Sequence, residues 1–149
     1  MSVRFFVNGV PQPSGSKKAW AIRKAGILTV RVAVSDDNPK SKSWKNTVAS
    51  CAAEALQGSP LITGPIRLTI EFRLPRPKGH YGTGKNSGKL RESCPKYPTT
   101  RPDSTKLLRC AEDAMTEIAW VDDAQIVEQL VIKTYSDKPG AWIEIEELR

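Results

Sequence analysis

The sequence has 149 residues, of which 39% are hydrophobic and 26% charged, the composition of an ordinary soluble globular domain. Lysine and arginine number 23 against 16 aspartates and glutamates, and this net charge of +7 favours a polyanionic partner over a merely soluble basic surface. Three cysteines without a CxxC motif and one histidine argue against structural zinc. No apolar run approaches the ~20 residues of a membrane span. The odd number of cysteines fits a reducing cytoplasm, where we expect this protein.

The first part of the chain predicts three ordered elements around one basic stretch. Residues 2–8 and 27–34 are rich in valine, isoleucine and phenylalanine and predict strands. Residues 9–26 combine glycine, proline and serine with a cluster of cations, namely Lys17, Lys18, Arg23 and Lys24. Apolar residues then recur at helical spacing over 42–57, and Gly58-Ser59-Pro60 ends this helix.

Residues 65–74 alternate strictly between apolar and polar side chains. One face carries Ile66, Leu68, Ile70, Phe72 and Leu74. The other face carries Arg67, Thr69, Glu71 and Arg73. This period of two predicts a strand that is buried on one face only.

Residues 75–102 have no apolar periodicity and are rich in glycine and proline. They contain seven lysines and arginines but one acid, Glu92. A loop this long inside a compact domain is usually functional or disordered. We interpret it as a segment that lies on a phosphate backbone, with a solvated insert as the alternative. His80, Tyr81 and Tyr97 are candidates for stacking on bases.

The last part of the chain predicts one helix and two strands. The helix begins at Asp103 or Ser104, either of which can cap it. The acidic turn Asp122-Asp123 follows, and then strands over about 125–135 and 142–148. The order β-β-α-β-loop-α-β-β, without internal repeats, predicts a single α+β domain in which two helices pack on one side of a mixed sheet.

Acidic residues bracket the second helix. Asp103 lies at its start, and Asp122 and Asp123 lie just beyond its end. A helix of ~14 residues is ~21 Å long. The two ends therefore meet only if the chain returns along the sheet or if a bend starts the next strand near the helix N-terminus, and the spacing leaves this open. Lys106 and Arg109 follow Asp103 at intervals of three and share one slowly turning stripe. Carboxylates beside cations fit Mg²⁺-dependent phosphoryl transfer; a helix cap, helix ion pairs and a polar turn are the alternative.

The stretch from Arg101 to Gln125 resembles the RusA family of Holliday junction resolvases. It carries PDxxKLLR, then EDAM, then WVDDAQI, so that a DDAQ turn follows a helix that begins with PD. The N-terminal NGVPQPSGSKK is more weakly similar to the family's opening strand and basic loop. The resemblance implies a crossover-junction endodeoxyribonuclease of the prophage and phage type, acting in recombination and repair. It also implies a homodimer that cuts four-way junctions with Mg²⁺, for which Mn²⁺ can substitute.

The family's three aspartates and one lysine map onto this chain with two departures. Asp103 matches the first aspartate, and Asp123 matches the acid of the DDAQ turn, with Asp122 beside it. Thr105 stands where the second aspartate is expected, and Arg109 holds the lysine position. Arginine keeps the positive charge but cannot donate a proton near neutral pH, so its role would be electrostatic.

The loss of the second aspartate leaves three explanations open. Asp122 or Glu71 replaces the missing carboxylate, or the site works with fewer protein ligands and more water, which Mg²⁺ tolerates. The third explanation is a weak or inactive enzyme. Lys106 is the better candidate if a proton must be transferred, and both Lys106 and Arg109 would stabilise the phosphate.

These features together predict a Mg²⁺-dependent junction endonuclease with the catalytic residues Asp103, Asp123, Lys106 and Arg109. The predicted metal ligands are Asp103, Asp123 and Asp122. The predicted DNA contacts are Lys17, Lys18, Arg23, Lys24, Lys78, Lys85, Lys89, Arg91, Lys96 and Arg101. We expect neither a small-molecule cofactor nor a membrane segment, in a bacterial host or a phage-infected cell. The rival hypotheses are an inactive branched-DNA-binding protein on the same scaffold and a basic protein-interaction module, which would show no salt-sensitive DNA affinity.

Overall fold

The structure, a computed structural model, describes residues 1–15 and 38–149 in full and the backbone of residues 17–24 and 27–36. The strands in these residues are β1 (Ser2–Asn8), β2 (Lys17–Lys24), β3 (Ile27–Asp36), β4 (Ile66–Leu74), β5 (Ile126–Tyr135) and β6 (Gly140–Glu147). The α-helices are α1 (Ser41–Ala55) and α2 (Ser104–Met115). Short 3-10 turns occupy Lys78–His80, Gly84–Asn86 and Asp123–Gln125.

Four of the strands form one mixed sheet in the order β1-β6-β4-β5. β6 is antiparallel to both β1 and β4, whereas β5 runs parallel to β4. A parallel pair needs a long connection, which here consists of residues 75–102, called the basic loop below, and α2. The predicted α+β fold with a mixed sheet is confirmed. Within the described residues β5 is an edge strand, so one side of its backbone faces away from the sheet.

The hydrophobic core lies between the sheet and the two helices. β4 buries the apolar face that its alternation predicts, namely Ile66, Leu68, Ile70, Phe72 and Leu74. α2 buries the stripe Leu107, Cys110, Ala111, Ala114 and Met115. α1 packs against β1 and α2, and α2 packs against β5, so both helices cover the same face. The other face of the sheet mixes charged side chains with exposed apolar ones such as Leu130 and Ile132, and there Arg67 bonds to Glu128 and Glu146.

A sharp reversal after α2 leads the chain back to the sheet. Thr116 leaves the helical conformation, and Glu117 adopts a φ of 66°, which residues other than glycine rarely take. The Ile62 amide donates to the Ala119 carbonyl at 3.0 Å. This bond fastens the reversal to the segment before β4 and brings the acidic turn to the start of β5.

The strand predicted over 27–34 is present as β3, and it has a partner that the sequence did not indicate. β2 pairs with β3 in antiparallel register, from Lys17 opposite Asp36 to Lys24 opposite Ile27. This hairpin is a two-stranded sheet distinct from the four-stranded one. Lysine and arginine at both ends of β2 obscure its strand pattern, because strand propensity depends on context more than on composition.

Candidate active site

Asp103 lies at the exposed start of α2. It occupies the N-cap position, and its carbonyl accepts a hydrogen bond from the Leu107 amide at 3.0 Å. Its side chain makes no capping hydrogen bond, although aspartate at this position usually bonds to helix amides. The carboxylate is therefore available to a ligand.

A cleft of about 560 Å³ opens beside Asp103. Its walls are formed by Val10, Pro11, Gln12, Pro13, Ser14, Gly15, Asn38, Leu74, Arg101, Pro102, Asp103 and Lys106. The Ser14 amide donates to the Lys106 carbonyl at 3.0 Å, which holds the N-terminal segment against α2. The cleft thus brings one carboxylate, that of Asp103, together with two cations, Arg101 and Lys106.

Thr105 and Arg109 lie outside this cleft. Both side chains are exposed on α2, and neither contributes to the walls. Of the three residues predicted to share one stripe of α2, Asp103 and Lys106 line the cleft. Arg109 lies one turn further along the helix. The neutral side chain of Thr105 supplies no charge to the cleft.

Asp123 lies at the other end of α2, where two neutral donors orient it. Its Oδ1 accepts a hydrogen bond from Thr116 Oγ1 at 2.5 Å and from Trp120 Nε1 at 2.8 Å. Trp120 is fully buried, so the core fixes the direction of this carboxylate. Both bonds are accepted by Oδ1, so Oδ2 is the oxygen that a metal would take.

Asp122 and Gln125 build the turn that carries Asp123. Asp122 Oδ1 accepts from the Ala124 amide at 2.9 Å, and Gln125 Oε1 accepts from the Asp122 amide at 2.8 Å. Gln125 Nε2 donates to the carbonyls of Ile62 and Gly64 at 2.9 and 3.0 Å. The carboxylate of Asp122, the predicted third metal ligand, thus caps this turn.

Glu112 is a half-buried carboxyl beside Asp123 that the sequence did not single out. Burial raises the pKa of Glu112 to about 7, and the negative charges of Asp123 and Asp113 add to this effect. Its Oε1 accepts a hydrogen bond from Gln129 Nε2. Thr116, the residue that ends α2, lies one turn after Glu112, and its hydroxyl contacts the Glu112 carbonyl.

α2 separates Asp103 from Asp123. The helix has 12 residues and is ~18 Å long, with Asp103 at its start and Asp123 bonded to Thr116 at its end. Two carboxylate oxygens that bind one Mg²⁺ lie within about 4.2 Å of each other, because each is about 2.1 Å from the ion. In the part of the chain that the structure describes, no group of three or more acidic, histidine or cysteine side chains is arranged to hold a metal. The chain does not return in a way that brings the two aspartates to one ion.

Glu71 lies on the wrong face of the sheet to replace the missing aspartate. Its Oε1 accepts from Arg73 Nε and from Thr134 Oγ1, both at 3.3 Å, on the face opposite the helices. Asp103 begins a helix that packs on the other face. Within one chain, Glu71 is therefore not placed to replace the aspartate that is missing at Thr105.

The basic loop presents its cations in different ways. Its exposed lysines include Lys78, Lys85 and Lys89. Arg91 Nε donates to the Tyr81 carbonyl at 2.7 Å, and Lys96 lies 5.3 Å from the centroid of the Tyr97 ring. The predicted contacts Lys17, Lys18, Arg23 and Lys24 lie on β2, and their side chains fall outside the described residues.

The first end of the basic loop is fastened to the end of β5. Arg76 lies 4.4 Å over the Tyr135 ring and donates to the Pro95 carbonyl at 2.7 Å. The His80 ring meets the same tyrosine edge-on at 5.3 Å between centroids. His80, a candidate for stacking on bases, is thus engaged within the protein.

The second end of the basic loop is also fastened to β5. Lys133 Nζ donates to the main-chain carbonyls of Thr100 at 3.0 Å and Pro102 at 2.8 Å. Both carbonyls lie just before Asp103. The last residues of β5, Lys133 and Tyr135, therefore hold both ends of the loop.

One further observation concerns the described helices, and two concern proteins similar to this chain. No helix in the described ranges combines the length and the apolar character needed to cross a bilayer. The family model of endodeoxyribonuclease RusA matches residues 10–146. The uncharacterized protein YqaN of Bacillus subtilis (strain 168) is 32% identical over 149 residues, which cover 98% of this chain and 96% of that protein.

Proposed function

This chain belongs to the RusA family of endodeoxyribonucleases, and we propose that it is a Mg²⁺-dependent member that resolves Holliday junctions and related branched DNA in recombination and repair. The observation that carries the proposal is Asp103, an exposed carboxylate without a capping bond. It shares a cleft with Arg101 and Lys106. An acid beside two cations suits a site that holds a metal against a phosphate.

The chemistry of the donor set fits Mg²⁺. The carboxylate oxygens of Asp103 and Asp123 are the hard ligands that this ion prefers, and it keeps several waters of its own. When bound, the ion would lower the pKa of a coordinated water and neutralise the charge that develops on the phosphate. Arg101 and Lys106 would hold the phosphate in the cleft, and Arg109 would add positive charge nearby.

A second copy of the chain would complete the metal site. Asp103 and Asp123 lie at opposite ends of α2, so one ion receives both only if they come from two chains. β5 offers the surface, because it is an edge strand on which Val127, Leu130 and Ile132 are 60%, 54% and 39% exposed. Apolar edge strands are sites where chains pair.

An antiparallel pairing of two β5 strands would bring the required groups together. In a two-fold arrangement of this kind, the start of one strand faces the end of the other. Asp123 begins the 3-10 turn that leads into β5, and Lys133 near the end of β5 holds the residues before Asp103. Asp123 of one chain would then lie beside Asp103 of the other, twice in each dimer. Two equal sites suit the paired cuts that resolve a junction.

The basic loop and the net charge support a DNA substrate. Lys78, Lys85 and Lys89 are exposed, and the loop leads into the cleft through Arg101. Phosphate contacts of this kind supply affinity, whereas the geometry of the junction supplies selectivity.

The substitution Asp103→Asn tests the proposal directly. It should reduce Mg²⁺-dependent cutting of a labelled four-way junction by at least about 100-fold, because the metal would lose a charged ligand. Junction binding, measured by mobility shift without metal, should stay within about two-fold because affinity comes from cations elsewhere. Asp137→Asn, an exposed acid in the turn after β5, is the matched control and should cut normally. Undiminished cutting by the Asp103 variant would refute the assignment.

Thr105 favours a second candidate function, which is junction binding without cutting. It is exposed in the first turn of α2 and supplies a hydroxyl where the resemblance expects a carboxylate. The unmodified protein distinguishes the two functions when it is incubated with a labelled junction, with and without Mg²⁺ or Mn²⁺. Paired nicks near the crossover support the enzyme, and a shifted but intact junction supports the binding protein.

A further inference from the structure

Lys133 connects β5 to the residues that precede Asp103. It lies opposite Phe72 in the parallel register, on the sheet face that carries the helices. Its ammonium donates to the carbonyls of Thr100 and Pro102. Hydrogen bonds from a charged donor are shorter and stronger than neutral ones, so this is a firm attachment for the end of a long loop.

The bond to Pro102 has a direct consequence for Asp103. The carbonyl of Pro102 and the amide of Asp103 belong to one planar peptide unit, so a bond that holds the carbonyl also fixes that plane. On the other side, the Asp103 carbonyl accepts from the Leu107 amide within α2. The Cα atom of Asp103 is thus held from both sides, and only side-chain rotation remains to direct the carboxylate.

We propose that Lys133 is a positioning residue for Asp103. It acts through the Pro102–Asp103 peptide and fixes the direction in which the Asp103 side chain projects from the backbone. The inference rests on the proposed metal-binding role of Asp103. Groups that orient a metal ligand typically change metal affinity or activity by 10–100-fold when they are removed.

The test compares Lys133→Met and Lys133→Arg with the unmodified protein, and with Lys138→Met as the matched control. Lys138 is an exposed lysine in the turn after β5, and its loss removes the same charge. Lys133→Met should raise the Mn²⁺ concentration for half-maximal junction cutting by about 10-fold or more. Lys133→Arg, which keeps a charged donor, should recover part of this loss. Junction binding without metal should change by less than about two-fold, because Lys133 is directed to carbonyls and not to DNA.

A second readout needs neither metal nor activity. Amide hydrogen exchange over residues 98–107 should become faster in Lys133→Met and stay near the unmodified rate in Lys133→Arg and Lys138→Met. Thermal unfolding checks that each variant folds, and Lys133→Gln replaces the methionine variant if that one does not.

The outcomes separate this inference from the proposed function. Unchanged exchange over residues 98–107 in Lys133→Met overturns the attachment, whatever the enzyme does. Faster exchange with an unchanged Mn²⁺ requirement overturns the positioning role. Failure of the unmodified protein to cut any junction refutes the proposed function, and the positioning role with it, whereas the exchange rates then still decide whether Lys133 attaches the loop to β5.

Discussion

Two inactive chains should produce an active dimer when they are combined. In the proposed dimer, each site takes Asp103 from one chain and Asp123 from the other, because α2 keeps the two residues ~18 Å apart within a chain. A dimer of one Asp103→Asn chain and one Asp123→Asn chain therefore contains one complete site and one site without either aspartate. Each variant alone has two damaged sites.

The expected nicking rate of the mixed dimer follows from its number of complete sites. A purified mixed dimer should nick junctions at about half of the wild-type rate per dimer, because one of two equal sites is intact. Its products should be nicked junctions and not resolved duplexes, since the second cut has no site. If both ligands came from the same chain, every site in the mixed dimer would lack one aspartate.

The assay uses co-expressed chains with two different affinity tags, purified through both tags. Nicking of a labelled junction in Mg²⁺ is compared with that of each variant alone. The control dimer combines Asp103→Asn with the double variant Asp103→Asn/Asp123→Asn, which has no complete site in any arrangement and should stay inactive. A mixed dimer as inactive as its parents would refute the shared site, and a monomeric wild-type protein at assay concentration would refute the dimer.

Three further predictions concern Glu112, Trp120 and the basic loop. Burial raises the pKa of Glu112 to about 7, so the folded state keeps this proton to a higher pH than the unfolded state does. Its contribution to stability is complete below pH ~4.5 and is lost as the pH rises to ~7, by about 1–2 kcal/mol after allowance for solvent screening. Urea unfolding without metal at pH 5 and pH 8 should show a smaller difference for Glu112→Gln than for the wild type, and equal differences would contradict the argument. Trp120→Phe removes the indole donor to Asp123 and should lower cutting by about 10-fold while the protein stays folded by circular dichroism; wild-type cutting would show that Thr116 suffices. Replacing Lys78, Lys85 and Lys89 by alanine should reduce the slope of log affinity against log salt by about 2–3 in a titration with junction DNA, and an unchanged slope would place the loop away from the phosphates.

The sequence predicted those parts of the fold that depend on local patterns. The strict alternation over residues 65–74 identified the buried face of β4 correctly. The start of α2 was expected at Asp103 or Ser104, because both residue types are preferred helix caps, and the structure places Asp103 at the cap position. β2 was not predicted, because its stability depends on pairing with β3 and its basic residues hide the pattern.

The arrangement of the candidate site could not be predicted in the same way. Glu112 and Asp123 become neighbours only through the reversal after α2, and Lys133 reaches Pro102 only because β5 runs parallel to β4. These contacts join residues that are far apart in the chain, and no spacing rule describes them. The sequence left open whether Asp103 and Asp123 lie close together. The structure shows that α2 separates them.

Because the basic loop is attached at both ends, changes within it are separated from the residues around Asp103. Arg76 and Lys133 hold the two ends of the loop close to β5, so that residues 77–99 form a closed loop. The entropy of closing such a loop grows only slowly as residues are added, and loop tips are where insertions are best tolerated. Insertions, deletions or charge changes within residues 82–89 should therefore leave the geometry around Asp103 unchanged.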